Sequence, residues 1–323
     1  MSVDEPSPGD IKGEVKIERL LEAYNVGGRE FISETDEVIF ERLQKNRSHI
    51  GTYYAGAIAL DMACRSEVSD PDRIEWFQQS IDIWHNYINN SYKSGVFSSY
   101  AIKAMIGQAN SSAYHSIFLQ DKLPNNNLRT KMYDQLCKIG ELAHIKFTKK
   151  LAPNADRQTK NEINDNKRLA GILGEMAVLM LHQRLTLHEE GMESQLALIS
   201  RVSEDYGSRS GSKAKGRKIR AWDVSIYQQD KPSEISMPYK LQVKSSRDNR
   251  QKNVSFASDI NVIYVRETLS VPRHERRVRL SPFMIVNDLV QESHGKATDR
   301  IINFLNQREQ KLLDRLDQPP TDL

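Results

Sequence analysis

The hydrophobic period of this chain changes from helical to strand-like after about residue 187, and that change limits the fold more than any other feature. Between about residues 16 and 150, apolar side chains recur every three or four positions, as in Ile74, Phe77, Ile81, Trp84 and Ile88, the spacing of one face of an α-helix. After Pro153 to Lys167, a polar stretch suited to a linker, one more helical run covers Arg168 to Leu187. The spacing then falls to two, the period of a half-buried strand. A chain of 323 residues is long enough for two units with their own cores. The expected fold is α+β and multidomain: an all-α, helical-repeat-like part, then a mixed α/β part, then C-terminal helices.

Local signals place the elements. A helix is expected over Ile50 to Cys64, where Ala55, Gly56, Ala57 and Ala59 allow close helix packing. Ser69-Asp70-Pro71-Asp72 starts the next one. A third runs from Val96 toward Leu119, and a fourth follows Pro124 and three asparagines, with Met132, Leu136, Ile139, Leu142 and Ile145 apolar. Helix pairs of this length resemble tetratricopeptide-type α-solenoids, without a clean 34-residue repeat; such a scaffold implies a protein partner. The aromatic residues here, Tyr53, Tyr54, Trp76, Trp84, Tyr87, Tyr92, Tyr100 and Tyr114, read as interhelix packing more than as a binding groove. His85 and His115 have no ligand partner at metal spacing.

Strands are expected over Leu196 to Val202, Ile219 to Gln228, Tyr239 to Ser245 and Asn261 to Val265, with room for a short helix before the last. With the preceding helix the order is αβββαβ. Two further helices, from Ser281 and over Thr298 to Leu316, are expected to close the sheet or mediate a homodimer. The resulting division is a disordered tail at 1–15, a helical domain at 16–152, a linker at 153–167, a mixed domain at 168–282, helices at 283–316 and a disordered tail at 317–323.

Charge is unevenly spread. The overall formal charge is +3, yet Arg201 to Arg279 holds 18 Lys or Arg against 9 Asp or Glu. A local cationic surplus suits a polyanion, since phosphate contacts release condensed counterions. The loop from Gly207 to Lys218 carries Arg209, Lys213, Lys215, Arg217 and Lys218, and Arg247, Arg250 and Lys252 follow the third strand; all eight are candidate nucleic-acid contacts. Composition is that of a globular chain, 38% hydrophobic and 28% charged with mean hydropathy −0.61. No apolar run reaches the roughly 20 residues of a bilayer span, and the acidic start is unlike a signal peptide. The two cysteines, Cys64 and Cys137, lie in helical patterns and form no metal motif. A cytoplasmic protein with no membrane partner and with both thiols reduced and buried is expected.

Three segments carry chemistry. Glu175 follows Gly174 in an apolar helical run, with Gly171, Ile172, Val178 and Leu179 three and four positions away. A carboxylate there costs desolvation energy unless a cation joins it. Asp223 stands between Trp222 and Val224 in a strand pattern, and Leu241-Gln242-Val243-Lys244 lies in the next one. By alternation, Gln242 and Lys244 share a face, and Asp223 shares one with Ala221 and Ser225, opposite Trp222, Val224 and Ile226. If the strands pair in suitable register, Asp223, Gln242 and Lys244 lie on one surface.

In that order the three segments resemble the PD-(D/E)xK nuclease superfamily, in the Gln-x-Lys variant found among Mrr-like restriction endonucleases. The resemblance covers about 100 residues. It implies a restriction-endonuclease-like fold, a Mg²⁺ or Mn²⁺ ion and hydrolysis of phosphodiester bonds, in DNA before other polymers, with defence or mobile-element biology as its usual setting. Carried over by position, the metal ligands are Asp223, Glu175, the Gln242 side-chain oxygen and the Val243 carbonyl, with Lys244 as the catalytic cation. The alternative is a module that keeps such a fold but only binds nucleic acid or protein.

Overall fold

The computed structural model describes residues 17, 19–21, 23, 24, 33–95, 97–150, 160–188, 194–206, 221–231, 234–244 and 260–264. The basic segments at 207–218 and 247–252, the expected helices beyond 281 and both expected tails lie outside the described residues. The chain divides into two compact units.

The first unit is helical and spans residues 1–121 with 200–221. Its described helices are α1 (Glu34–Lys45), α2 (His49–Ala63), α3 (Asp70–Ser94), α4 (Ser99–Gln120) and a short one, α7 (Val202–Tyr206). Serine stands at the start of four of them, Ser33, Ser48, Ser69 and Ser98. The hydroxyls of Ser48, Ser69 and Ser98 accept from the backbone N–H of Gly51, Asp72 and Ala101, which satisfies donors that the first helical turn cannot pair. Gly95, with φ 67°, ends α3 in the left-handed region where glycine carries no Cβ penalty.

Trp84 is the centre of this core. It is 1% exposed, and its indole N–H donates to the Tyr53 carbonyl at 3.2 Å. Two glycines make room for the ring: a Cβ on Gly56 would stand 2.5 Å from Trp84 Nε1, and one on Gly107 would overlap its Cη2. Of the small residues expected to allow close packing, Gly56 does so against this indole. Tyr53, Tyr54, Tyr87 and Tyr114 are buried as well, whereas Tyr92 is 56% exposed.

The second unit spans residues 122–199 and 222–323. It contains α5 (Asn126–Lys150), α6 (Lys160–His188), β1 (Gln195–Ile199), β2 (Val224–Lys231), β3 (Glu234–Lys244) and β4 (Ile260–Tyr264). The strands form one sheet in the order β1-β2-β3-β4. β2 is antiparallel to β1 and to β3, while β4 runs parallel to β3. A parallel neighbour requires a crossover connection rather than a hairpin; the helix expected there lies outside the described residues.

Helix α6 packs against α5 and across β1, β2 and β3. Ile172, Leu173, Met176, Ala177, Val178, Leu179 and Met180 are all buried, so the helix is covered nearly all round rather than along one stripe. Arg129 fastens α5 to the sheet: fully buried, it donates to the carbonyls of Pro124 at 2.8 Å and Gln195 at 2.6 Å.

Several expected boundaries move. The linker at 153–167 is partly helical, because α6 starts at Lys160. The expected helical domain at 16–152 gives up α5, which packs on α6 in the sheet unit. The expected mixed domain at 168–282 loses the described residues 200–206, which pack with the helical unit. Val202 begins α7 instead of ending a strand, and β2 starts at Val224, not Ile219. Helix periodicity shows that a helix has an apolar face but not which neighbour will cover it. Among the described residues no helix is long and apolar enough to cross a membrane.

Candidate active site

Asp223 sits at a bend immediately before β2. Its backbone N–H donates to the Leu241 carbonyl at 2.8 Å, which begins the ladder that pairs Val224 with Leu241. Continued by one residue, that register sets Asp223 opposite Gln242. The side chains meet there: Asp223 Oδ2 accepts from the Gln242 amide Nε2 and, at 2.8 Å, from the Val243 backbone N–H. Asp223 is 8% exposed and Gln242 3%. A buried carboxylate of this kind is held in place by charge-assisted hydrogen bonds, which also fix its direction.

Three expected positions thus converge: Asp223, Gln242 and Val243. Lys244 ends β3, two residues after Gln242, and pairs in register with Tyr264 of β4. Glu175 is half-buried within the otherwise buried stretch of α6. Seven residues later on that helix, His182 is buried and lies against Gln195 at the start of β1. Seven residues are about 10 Å of helix. The four steps from Gln195 to Ile199 span about 13 Å of strand, and Ile199 pairs with Val224. The helix that carries Glu175 packs on β1, β2 and β3.

One expected direction is wrong. Alternation sets Trp222 with Val224 and Ile226, away from Asp223. Instead the Trp222 indole N–H donates to Ser225 Oγ at 2.8 Å, and the Lys240 ammonium lies 4.9 Å from the centre of the indole ring. Period-two reasoning holds only inside a strand, and the bend at Asp223 lies outside it. Ser225 pairs with Lys240 in register. Lys240, two residues before Gln242, shares its face by the same alternation that joins Gln242 to Lys244. The pattern Lys-x-Gln-x-Lys over residues 240 to 244 carried that information, but attention to the last three positions hides it.

Donor chemistry suits a hard cation. Carboxylate oxygens, an amide oxygen and a backbone carbonyl are the ligands Mg²⁺ takes, usually with only one or two carboxylates. Gln242 turns its NH₂ end to Asp223; as a ligand it would present the other end of the amide, a rotation of one terminal torsion. Among the described residues no group of three or more His, Cys, Asp and Glu side chains could hold a metal ion, and the expected set contains only two of those.

Elsewhere the buried ionisable groups are structural. Asp61, fully buried on α2, accepts from Tyr24 Oη at 2.6 Å and from Ser203 Oγ at 2.5 Å, and it lies 3.5 Å from the guanidinium of Arg65 and 3.7 Å from that of Arg201. Arg65 also donates to Asp36 at 2.9 Å, and Arg201 pairs with Glu204 at 3.0 Å. Burial, with the neighbouring Asp61 carboxylate, pushes the Tyr24 phenol well above its ordinary value. Burial also raises the Cys64 thiol, which leaves it unreactive. Cys137 is half-buried rather than buried.

No family model matches this chain, and no curated protein or solved structure is similar to it.

Proposed function

We propose that the protein is a metal-dependent nuclease, acting on DNA, whose active site is Glu175, Asp223, Gln242 and Lys244. The observation that carries this reading is the tie of the Asp223 carboxylate to Gln242 and to the Val243 N–H. Residues 19 and 20 positions apart meet at the end of the sheet where the chain pairs a carboxylate with a Gln-x-Lys strand. Asp223, Glu175, the Gln242 amide oxygen and the Val243 carbonyl would hold Mg²⁺ or Mn²⁺. Such an ion, when bound, neutralises charge on phosphate oxygens and makes water a better nucleophile. Lys244 supplies a cation for the charge that develops on the phosphate. The basic surplus of residues 201–279 supports a polyanionic substrate. A groove of about 730 Å³ on the helical unit, lined by both polar and apolar side chains, among them Arg47, His49, Ile83, Asn86 and Tyr87, offers a surface for a partner.

The test is cleavage of supercoiled plasmid and end-labelled linear DNA by the wild type and by Asp223→Asn, each with Mg²⁺, Mn²⁺ or EDTA. Asparagine keeps an oxygen for the Val243 N–H while removing the charge. Cleavage that needs both the metal and Asp223 supports the reading. Salt-sensitive DNA binding by both proteins with no cleavage favours the non-catalytic binding module instead.

A further inference from the structure

We infer that Trp222 and Lys240 form a nucleotide subsite beside Asp223, one that takes an unpaired nucleotide with its base on the indole and its phosphate on the ammonium. The inference rests on the nuclease reading for its polymer and adds a substrate class to it, single-stranded or locally unpaired nucleic acid.

Trp222 directly precedes the carboxylate of the candidate site, and the bend at Asp223 brings its ring toward Ser225 and Lys240. Trp222 is half-buried while its indole N–H is bonded to Ser225, which is fully buried and therefore an immobile anchor. An indole oriented through its N–H, with part of its surface reachable, is a preorganised stacking platform. The ammonium now over the ring is an exchangeable occupant. A base can take its place on the π-face while the lysine turns to the adjoining phosphate. Stacking on an aromatic side chain tolerates any base, because every base has a π-face. Bases inside a duplex cannot reach such a ring without leaving the stack, so the subsite distinguishes an unpaired nucleotide from a paired one.

Position supports the same role. Lys240 lies two residues before Gln242 on β3 and shares its face by alternation, so a cation stands beside the proposed metal ligand. A strand whose phosphate met Lys240 would pass close to Asp223. None of this depends on the basic loop at 207–218.

The experiment is fluorescence anisotropy with labelled oligothymidylate and with a duplex of equal length, in EDTA at fixed salt, using the wild type, Trp222→Ala, Trp222→Phe and Lys240→Gln. The single strand should bind more tightly than the duplex. Trp222→Ala should weaken single-strand binding about tenfold, Trp222→Phe much less, and Lys240→Gln should lower the salt slope by about 0.7, with duplex affinity unchanged in all three. Equal affinity for strand and duplex, binding of neither, or unchanged single-strand binding by both Trp222→Ala and Lys240→Gln would overturn the subsite. Lys240→Gln alters a partly exposed side chain, so it keeps the test valid if Trp222→Ala does not fold. Because binding is read without divalent metal, its outcome is separate from that of cleavage. Binding through Trp222 without any cleavage keeps the subsite and removes the hydrolytic reading, whereas Asp223-dependent cleavage indifferent to Trp222 does the reverse.

Discussion

Asp61 in the helical unit and Asp223 in the sheet unit are both buried carboxylates, held in different ways. Asp61 gathers a phenol, a hydroxyl and two guanidiniums, from Tyr24, from Arg65 just beyond the end of α2 and from Arg201 and Ser203 in and before α7. Asp223 is tied to one strand, by the amide and the backbone N–H of consecutive residues. The first arrangement spends a charge on joining distant parts of the chain. The second fixes the direction of a carboxylate at the end of a sheet, with lysines nearby in sequence. Burial alone therefore does not mark a functional acid; what matters is whether its partners are there to close a fold or to aim the group.

The comparison breaks most visibly at Asp223. Asp223→Asn is expected to lower metal-dependent cleavage about a thousandfold, the equivalent of several kcal/mol of transition-state stabilisation, with a small change in the denaturant midpoint. Gel-based plasmid cleavage and urea unfolding of the same preparation check both halves, and Lys244→Ala should behave alike. Asp61→Ala should give the opposite pattern. Removing one member of a buried ion network leaves Arg65 with Asp36 and Arg201 with Glu204 but takes a carboxylate from both, and is expected to destabilise the helical unit by about 3 kcal/mol, read as a lower urea midpoint.

Smaller effects sharpen the contrast between the two cores. Gly107→Ala should cost about 1–3 kcal/mol through overpacking against Trp84, and Gly56→Ala a similar amount, seen as a lower melting temperature. In the sheet unit, burial holds His182 neutral and lowers its pKa from 6.5 to about 4. The unfolded chain then binds the proton more readily than the folded one between those values. Stability is fully present above about pH 6.5 and declines as the pH falls toward 4. The expected loss is about 2 kcal/mol between pH 7 and pH 5. His182→Gln should flatten that part of a urea-midpoint profile against pH.

Much of this was legible in the sequence. The helix start at Ser69, the small Gly56 against Trp84, and the Asp223 and Gln-x-Lys segments are local signals, and the structure gives Ser69 a capping role, seats Gly56 against the indole and brings Asp223 to Gln242. Less legible were the relations between segments. Nothing in the spacing of Arg201, Ser203 and Glu204 announces that they fold against Asp61, some 140 residues earlier. The same holds for α5, whose periodicity matches that of its predecessors although it packs on α6. Trp222 was misdirected because alternation was extended across a bend.

The sequence by itself determined the type of most described elements, the long helices and the four strands, because hydrophobic period is a property of short segments. Tertiary structure alone decided which helix joined which unit, that Asp223 faces Gln242, and that Trp222 lies under Lys240. Those facts depend on strand register and on a bend, and register is fixed by pairing between segments that no local pattern contains.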